Sequence, residues 1–350
     1  MDNYDIAIVG AGPAGSTLAR LIGSGGGKVL LIDGASVGKC KPCGGLLAPD
    51  AQKALASFGL TLPKDILVDP QIFSVKTIDL EKDLVRYYSR FYLNMDREKF
   101  DRWLISLVPE SVELLRARCT AIEPAEGGYV LSLRREDSIF QVKSRLVVGA
   151  DGANSIVRRS FFPSKIMYYV SIQQWFAAGE ESNPFYSCIF DPVTSESCSW
   201  SIHKDGYFIY GGSFLPRNCR QMFEKQKERI EGKYGFRFGE ALKTEACKVY
   251  RPKRMADFKT GKDGLFLIGE AAGFISPSSF EGISSAILSA KALAEAICEG
   301  GSIHASYRRK TAKLRIKMLI KCIKRLFMYV PFLRHLVMKL GLLSIKLDSQ

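Results

Sequence analysis

The sequence predicts an α/β protein: a parallel-sheet unit of nucleotide-binding type, interrupted by an antiparallel sheet and followed by a basic helical tail. Three observations predict it. Residues 4–33, YDIAIVGAGPAGSTLARLIGSGGGKVLLID, read as strand, glycine turn, helix, second strand and terminal acid. Residues 162–250 carry aromatic, alternating segments instead: YYVSIQQWF, FYSCIF, CSWSIH and YFIYGGSF. Residues 306–350 hold twelve Lys and Arg against one acid, Asp348.

The first strand is a near-continuous apolar run, Ile6, Ala7, Ile8 and Val9, as a strand buried on both faces requires. Gly10, Gly12 and Gly15 then match G-x-G-x-x-G. The first glycine permits a tight turn, the second lets a pyrophosphate approach the backbone, and the third lets the helix lie close to the strand. Pro13 and Ala14 open that helix, whose free N–H groups and dipole favour an anion. Asp33 ends the second strand, where an acid accepts both hydroxyls of an adenosine ribose. This is a Rossmann-type dinucleotide fingerprint; a glycine-rich turn that binds nothing is the alternative.

Downstream, Lys41, Pro42, Cys43, Gly44 and Gly45 form a loop with close backbone approach beside a thiol. Residues 50–58 read as a helix and 66–95 as strands. Asp96 is positioned to cap a helix that places Phe100, Trp103, Leu104 and Leu107 on one face. Residues 112–148 suggest a meander ending in a buried strand, followed by Asp151 and Gly152. Residues 162–250 predict an antiparallel sheet with one covered face. A strand, glycine loop and helix then return at 264–297. The nucleotide domain is therefore discontinuous, at 1–70, 96–161 and 251–300. The sheet domain takes 71–95 and 162–250, and the tail 301–350. Pro331 divides the tail into two helices.

The 350 residues, 47% hydrophobic, are ample for a globular core and suggest two domains. Nine scattered cysteines, an odd number, argue against a disulfide framework. Cys40 and Cys43 form C-x-x-C, which a redox dithiol could use. The acidic N-terminus lacks a signal peptide, and no apolar run reaches the roughly 18 residues that span a bilayer, so a cytoplasmic location is expected. His203, His304 and His335 lie far apart, with no metal-ligand cluster and no Ser-His-Asp constellation.

Three motifs in fixed order carry a family resemblance: GAGPAG with Asp33, GADGANSIVRR at 149–159, and LIGEAAGFISPSSFEGI at 267–283. They resemble the FAD-dependent oxidoreductases of the p-hydroxybenzoate hydroxylase fold. The resemblance implies FAD, with Asp151 and Gly152 against the flavin and pyrophosphate. It places Gly269, Glu270, Gly282 and Ile283 along the ribityl chain and pyrophosphate, and Glu270 stands where the family usually has aspartate. It also implies Arg97 near the phosphates, with a surface arginine as the alternative, and Ala121 among the cofactor contacts.

The KPCGG loop resembles the geranylgeranyl reductase branch. This implies that Cys43, Gly44 and Gly45 run beside the isoalloxazine, and that an isoprenoid-like double bond is reduced by hydride from flavin N5. Cys43 is then either the proton donor or a small residue packed beside the ring. The electron donor is NADPH or a small electron carrier. The branch motif Y-x-W-x-F-P is met only at Trp200, which weakens geranylgeranyl as the particular substrate. The absent first Trp and Pro of W-x-W-x-I-P disfavour a halogenase. Trp175, Trp200 and Tyr210 either line an apolar tunnel or belong to the sheet core. An FAD-dependent monooxygenase and a non-catalytic lipid-binding flavoprotein are the alternative functions. The tail, 306–350, is read as a contact for anionic membrane rather than a solvated helix or a nucleic-acid site, for which no recognition module is visible. A monomer is expected.

Overall fold

The computed structural model describes residues 1–34, 41–179 and 185–347. The first half of the described chain runs β1 (Asp2–Val9), α1 (Pro13–Ile22), β2 (Val29–Asp33), β3 (Leu46–Leu47), α2 (Pro49–Ala56), β4 (Ile72–Asp79), β5 (Leu84–Asn94), α3 (Arg97–Ser106), β6 (Val112–Arg116), β7 (Arg118–Ala125), β8 (Gly128–Arg135), β9 (Ser138–Gly149) and α4 (Ile156–Phe161). The second half runs β10 (Tyr168–Ala177), β11 (Tyr186–Phe190), β12 (Cys198–Lys204), β13 (Tyr207–Phe214), α5 (Cys219–Ile230), β14 (Lys243–Tyr250), β15 (Gly261–Lys262), β16 (Leu265–Leu267), α6 (Ile283–Glu299), α7 (Ile303–Lys310), α8 (Ala312–Tyr329) and α9 (Pro331–Leu340).

Strands β6, β2, β1, β9 and β16 lie side by side and parallel. Ile8 pairs with Leu31 on one side and Val148 on the other. Apolar residues occupy successive positions because helices cover the sheet. Helix α1 packs against α6, and both close one core with Leu18, Leu30, Val147 and Leu293. The expected meander at 112–148 divides. β6 joins the parallel sheet beside β2, while β8 runs antiparallel to both β7 and β9. Leu114 and Leu115 extend β2 rather than folding back, because Val112 through Arg116 pair residue for residue with Val29 through Asp33. Asp96 does cap α3, accepting from the N–H groups of Glu98 (2.8 Å) and Lys99 (3.0 Å).

The second sheet has the order β14-β10-β13-β12-β11-β4-β5-β3. Its neighbours are antiparallel except β4 with β11. One face is covered by α5, with Tyr210, Phe214 and Phe223 in a shared core. The other face turns toward the first sheet.

The tail forms three helices, not two. Thr311 separates α7 from α8, its hydroxyl donating to the carbonyl of Tyr307 (2.8 Å). Tyr307 donates to the Leu267 carbonyl (2.8 Å) and holds α7 to the parallel sheet. Lys317 and Lys321 reach Asp50 in α2. Arg334 of α9 is buried and donates to Asp79 of β4 at 2.8 Å. A buried pair broken on one side leaves a charge without compensation. Asp79→Ala is therefore expected to destabilise the protein by about 3–5 kcal/mol, read as a lower urea midpoint with an unchanged slope.

Candidate active site

One cavity of about 1310 Å³ runs from the β1–α1 turn to the second sheet. Ordinary small-molecule pockets hold about 300–1,000 Å³, so this one has room for a dinucleotide and a second molecule. Gly10, Gly12, Pro13, Ala14 and Asp33 line one end, and Arg97, Asp151, Gly152, Glu270, Gly282 and Ile283 the middle. Cys43, Gly44 and Trp200 line the end nearest the second sheet.

The glycines of the turn do three different things. Gly10 has φ +107°, and a Cβ there would stand 2.7 Å from the Ala150 carbonyl. A Cβ on Gly15 would lie 1.8 Å from the Gly10 carbonyl, so α1 rests directly on the turn, and Gly15 packs rather than lines the cavity. At Gly12 nothing lies within 4 Å of that position. The turn therefore leaves open space at the N-terminus of α1, where an anion is favoured.

Five more predicted cofactor or substrate residues stand outside the lining, among them Gly45 of the loop described below. Gly269 packs on Ala14, and its N–H donates to Ser289 of α6. Ala121 follows a register shift in β7, and Arg118 and Cys119 face the cavity instead. Trp175 shares a sheet face with Ser171 but lies four residues beyond it, past the cavity rim, donating to Glu245 (2.9 Å). Tyr210 points to the opposite face of the sheet, donating to Gln226 of α5 (3.0 Å) among Phe223 and Phe238. Its strand position is even where the cavity face is odd, as Ser213 marks.

The 41–45 loop is held from both sides. Lys41 pairs with Glu270, whose other oxygen accepts from the Tyr250 N–H (2.9 Å). Glu270 thus ties the loop to β14 as well as facing the cavity. Gly45 lies over Lys204, outside the cavity lining, and a Cβ on it would meet Lys204 Nζ at 2.5 Å and the Met95 carbonyl at 2.4 Å. The buried Lys204 ammonium donates to the carbonyls of Gly45 (3.2 Å) and Met95 (2.7 Å) and to Asn94 Oδ1 (2.6 Å). Burial pulls it down to about 8. Sequence reasoning missed this lysine. The signal was its register: Cys198, Trp200, Ile202 and Lys204 alternate along β12, so the lysine continues a covered row. Cys40, and with it the C-x-x-C pair, lies outside the described residues.

Arg97 is largely buried on the cavity wall, with Nε 3.0 Å from Asp101. Burial pulls it down, but Asp101 and the Cys43 sulfur hold it above its ordinary value. Trp200 is clasped between two glycines: a Cβ on Gly211 would lie 2.6 Å from its ring, and one on Gly44 would lie 3.6 Å from Nε1. Among the described residues, Trp200 Nε1 and Asp151 Oδ1 have no protein partner. Asp151 uses its other oxygen to accept from the Ile156 N–H (2.7 Å), and burial pushes its carboxyl up. An open helix N-terminus and an acid at the end of β2 suit a dinucleotide. A second polar group was also missed. Tyr92 donates to Glu281 (3.0 Å), as does Ser279 (3.0 Å), with Arg90 at 3.6 Å.

Comparison with known proteins places this architecture. Protein CbrA of Escherichia coli O6:H1 (strain CFT073) is 46% identical over 352 residues, covering 99% of this chain and 95% of that one. The chain belongs to the CbrA family. A family model described as lycopene cyclase protein matches residues 5–176 of this CbrA-family chain. Among solved structures, a geranylgeranyl bacteriochlorophyll reductase-like protein from Thermoplasma acidophilum superposes with a TM-score of 0.79 at 19% identity, covering 93% of this chain and 87% of that one. PqsL, a probable FAD-dependent monooxygenase from Pseudomonas aeruginosa, gives 0.72 at 17% identity, covering 97% and 99%. The CbrA-family chain thus has the fold of FAD-dependent enzymes.

Two outcomes follow. Gly12→Val is expected to keep its thermal midpoint yet bind FAD more than tenfold more weakly, whereas Gly15→Val fails to fold; flavin absorbance and thermal melts separate the two. Lys204 titrates near pH 8 when folded, against an ordinary 10.5. Between those values the unfolded chain holds a proton that the folded one has released. Stability from this group therefore rises with pH across that window, by at most about 1.4 kcal/mol per pH unit. Urea midpoints should show the slope in the wild type and its loss in Lys204→Met.

Proposed function

We propose that the protein is an FAD-dependent reductase acting on a carbon–carbon double bond of an isoprenoid-like substrate. The observation that carries this reading is the continuous cavity that runs from the glycine turn to the second sheet and has protic side chains on its walls. Two relatives in fold or family, one named for geranylgeranyl and one for lycopene, support the substrate class. FAD held at the glycine turn would supply hydride chemistry when reduced. The chain's own part is to deliver a proton to one alkene carbon, hold the substrate, and exclude water.

Cys43 Sγ and Tyr92 Oη are among the protic groups on the cavity wall. Burial, followed by the Glu281 carboxylate, pushes the Tyr92 phenol far above its ordinary value. It therefore keeps its O–H at neutral pH, oriented by the bond to Glu281. That O–H is engaged by Glu281, which Ser279 and Arg90 hold in turn, so Tyr92 gives up a proton only where the substrate takes the place of the carboxylate. Cys43 lies on the loop pinned by Lys204, so its sulfur is presented on a fixed backbone.

The likeness to a monooxygenase favours a second reading, oxygen-dependent hydroxylation in the same cavity. The electron donor in either case is NADPH or a small carrier. Lipid extracts incubated with reduced protein in the absence of oxygen decide between them. A substrate that gains two hydrogens by mass supports the reductase, and product that forms only with oxygen overturns it. Tyr92→Phe is expected to lower kcat by roughly 10²–10⁴-fold if Tyr92 is the acid. A loss of that size in Cys43→Ala, with Tyr92→Phe unaffected, assigns the proton to Cys43.

A further inference from the structure

The outer faces of α8 and α9 are left bare. Ile316, Ile320, Ile323 and Phe327 recur at helical spacing along α8, Val330 follows at its end, and all are exposed, Ile320 by 59%. Phe332, Leu336 and Leu340 do the same on α9, and Leu342, Leu343, Ile345 and Leu347 follow; Phe332 is 72% exposed and Leu343 93%. Thirteen of the 24 exposed large hydrophobic side chains among the described residues lie in this segment. A surface that soluble chains rarely leave open is thus concentrated in one stretch of about thirty residues. The same helices bury Met318, Arg334 and Met338 against the protein, so the bare side is the far side of a docked element and not of a loose one.

Charge decides what covers it. Residues 306–347 contain no Asp or Glu, and exposed Lys313 and Lys324 flank the α8 row while Lys339 and Lys346 accompany the second. A second copy of the chain would bring like charge against like. A nucleic acid would satisfy the lysines but leave Ile, Leu and Val side chains facing phosphate. An anionic bilayer meets both demands: cations at the headgroups, aliphatic side chains at the acyl boundary. No helix among the described residues is long and apolar enough to cross, so the arrangement is one that lies in the interface.

We propose that α8, α9 and the segment through Leu347 form a docking face for an anionic lipid bilayer. The inner side of the same helix reaches the cavity wall: Tyr329 donates to the Ser278 carbonyl (2.6 Å) and lies 3.3 Å from the Cys198 sulfur. Docking would therefore leave α8 alone between the bilayer and the second-sheet end of the cavity. The inference rests on the proposed function for that purpose, while the docking face stands on its own residues.

Holoprotein is sedimented with vesicles of phosphatidylglycerol and phosphatidylcholine, and with phosphatidylcholine alone. Binding is expected only to the first, falling with added salt. Ile320→Glu with Phe327→Glu should weaken it more than tenfold while flavin absorbance and the thermal midpoint stay unchanged. Phe332→Ser with Leu343→Ser should do so by a smaller factor without new charge. Failure to bind anionic vesicles, binding that both variants retain, or a dimer that the variants dissolve without any vesicle binding each overturns the proposal. Turnover assayed in detergent reports the chemistry separately: its absence in vesicle-binding protein counts against the reductase and leaves the docking face standing.

Discussion

A buried ammonium group sets the geometry of the cavity. Lys204 has three donors, and Gly45, Met95 and Asn94 accept all of them. An unpaired ammonium in that position would lose several kcal/mol of solvation, so the three acceptors cannot drift apart independently. They belong to the loop beside the cavity and to the end of β5, while the lysine belongs to β12. One charge therefore fixes the distance between the Cys43–Gly44 backbone and the second sheet. Lys41 with Glu270 closes the other end of the same loop onto β14. The loop that carries Cys43 is in effect a strap with a fastening at each end. Gly45 and Gly44 are glycines because Lys204, Met95, Ile202 and Trp200 already fill the space their side chains would take.

Much of this was legible in the residues, and the reason differs by element. The first strand, turn and helix announce themselves because burial on both faces and phosphate approach restrict each position to one or two residue types. Asp96 was readable as a cap because capping is local. Tyr210 and Trp175 were not separable from Trp200, since aromatic residues in a strand look alike until the sheet face and the cavity limit are known. The register shift at Cys119 moved the cavity contact from Ala121 by a distance no pattern records. β6 was read as part of a meander because a strand's partner is chosen by tertiary pairing, not by its own five residues. Lys204 and the Tyr92–Glu281 pair were invisible as sites because their partners lie more than a hundred residues away.

The tail divides its chemistry by face. Its inward side is polar and specific: Tyr307 on Leu267, Tyr329 on Ser278, Arg334 on Asp79. Its outward side is apolar and repetitive. Composition had shown only that the tail is basic and amphipathic, and both halves of the segment share that composition. What separates them is which residues find hydrogen-bond partners in the body of the protein.

The Asp79–Arg334 pair has a consequence for biosynthesis. The two residues are 255 positions apart, and a ribosome adds them tens of seconds or less apart at about 5–20 residues per second. Through that interval β4 already exists, and Asp79 has only the Glu81 and Lys82 N–H groups to accept from. β1 likewise waits for β9, and β9 for β16. Both sheets have their last strand by Leu267, with the tail still to be made. What the tail then supplies is the charge that neutralises Asp79 of an early strand, so the second sheet is completed by a segment that belongs to neither sheet.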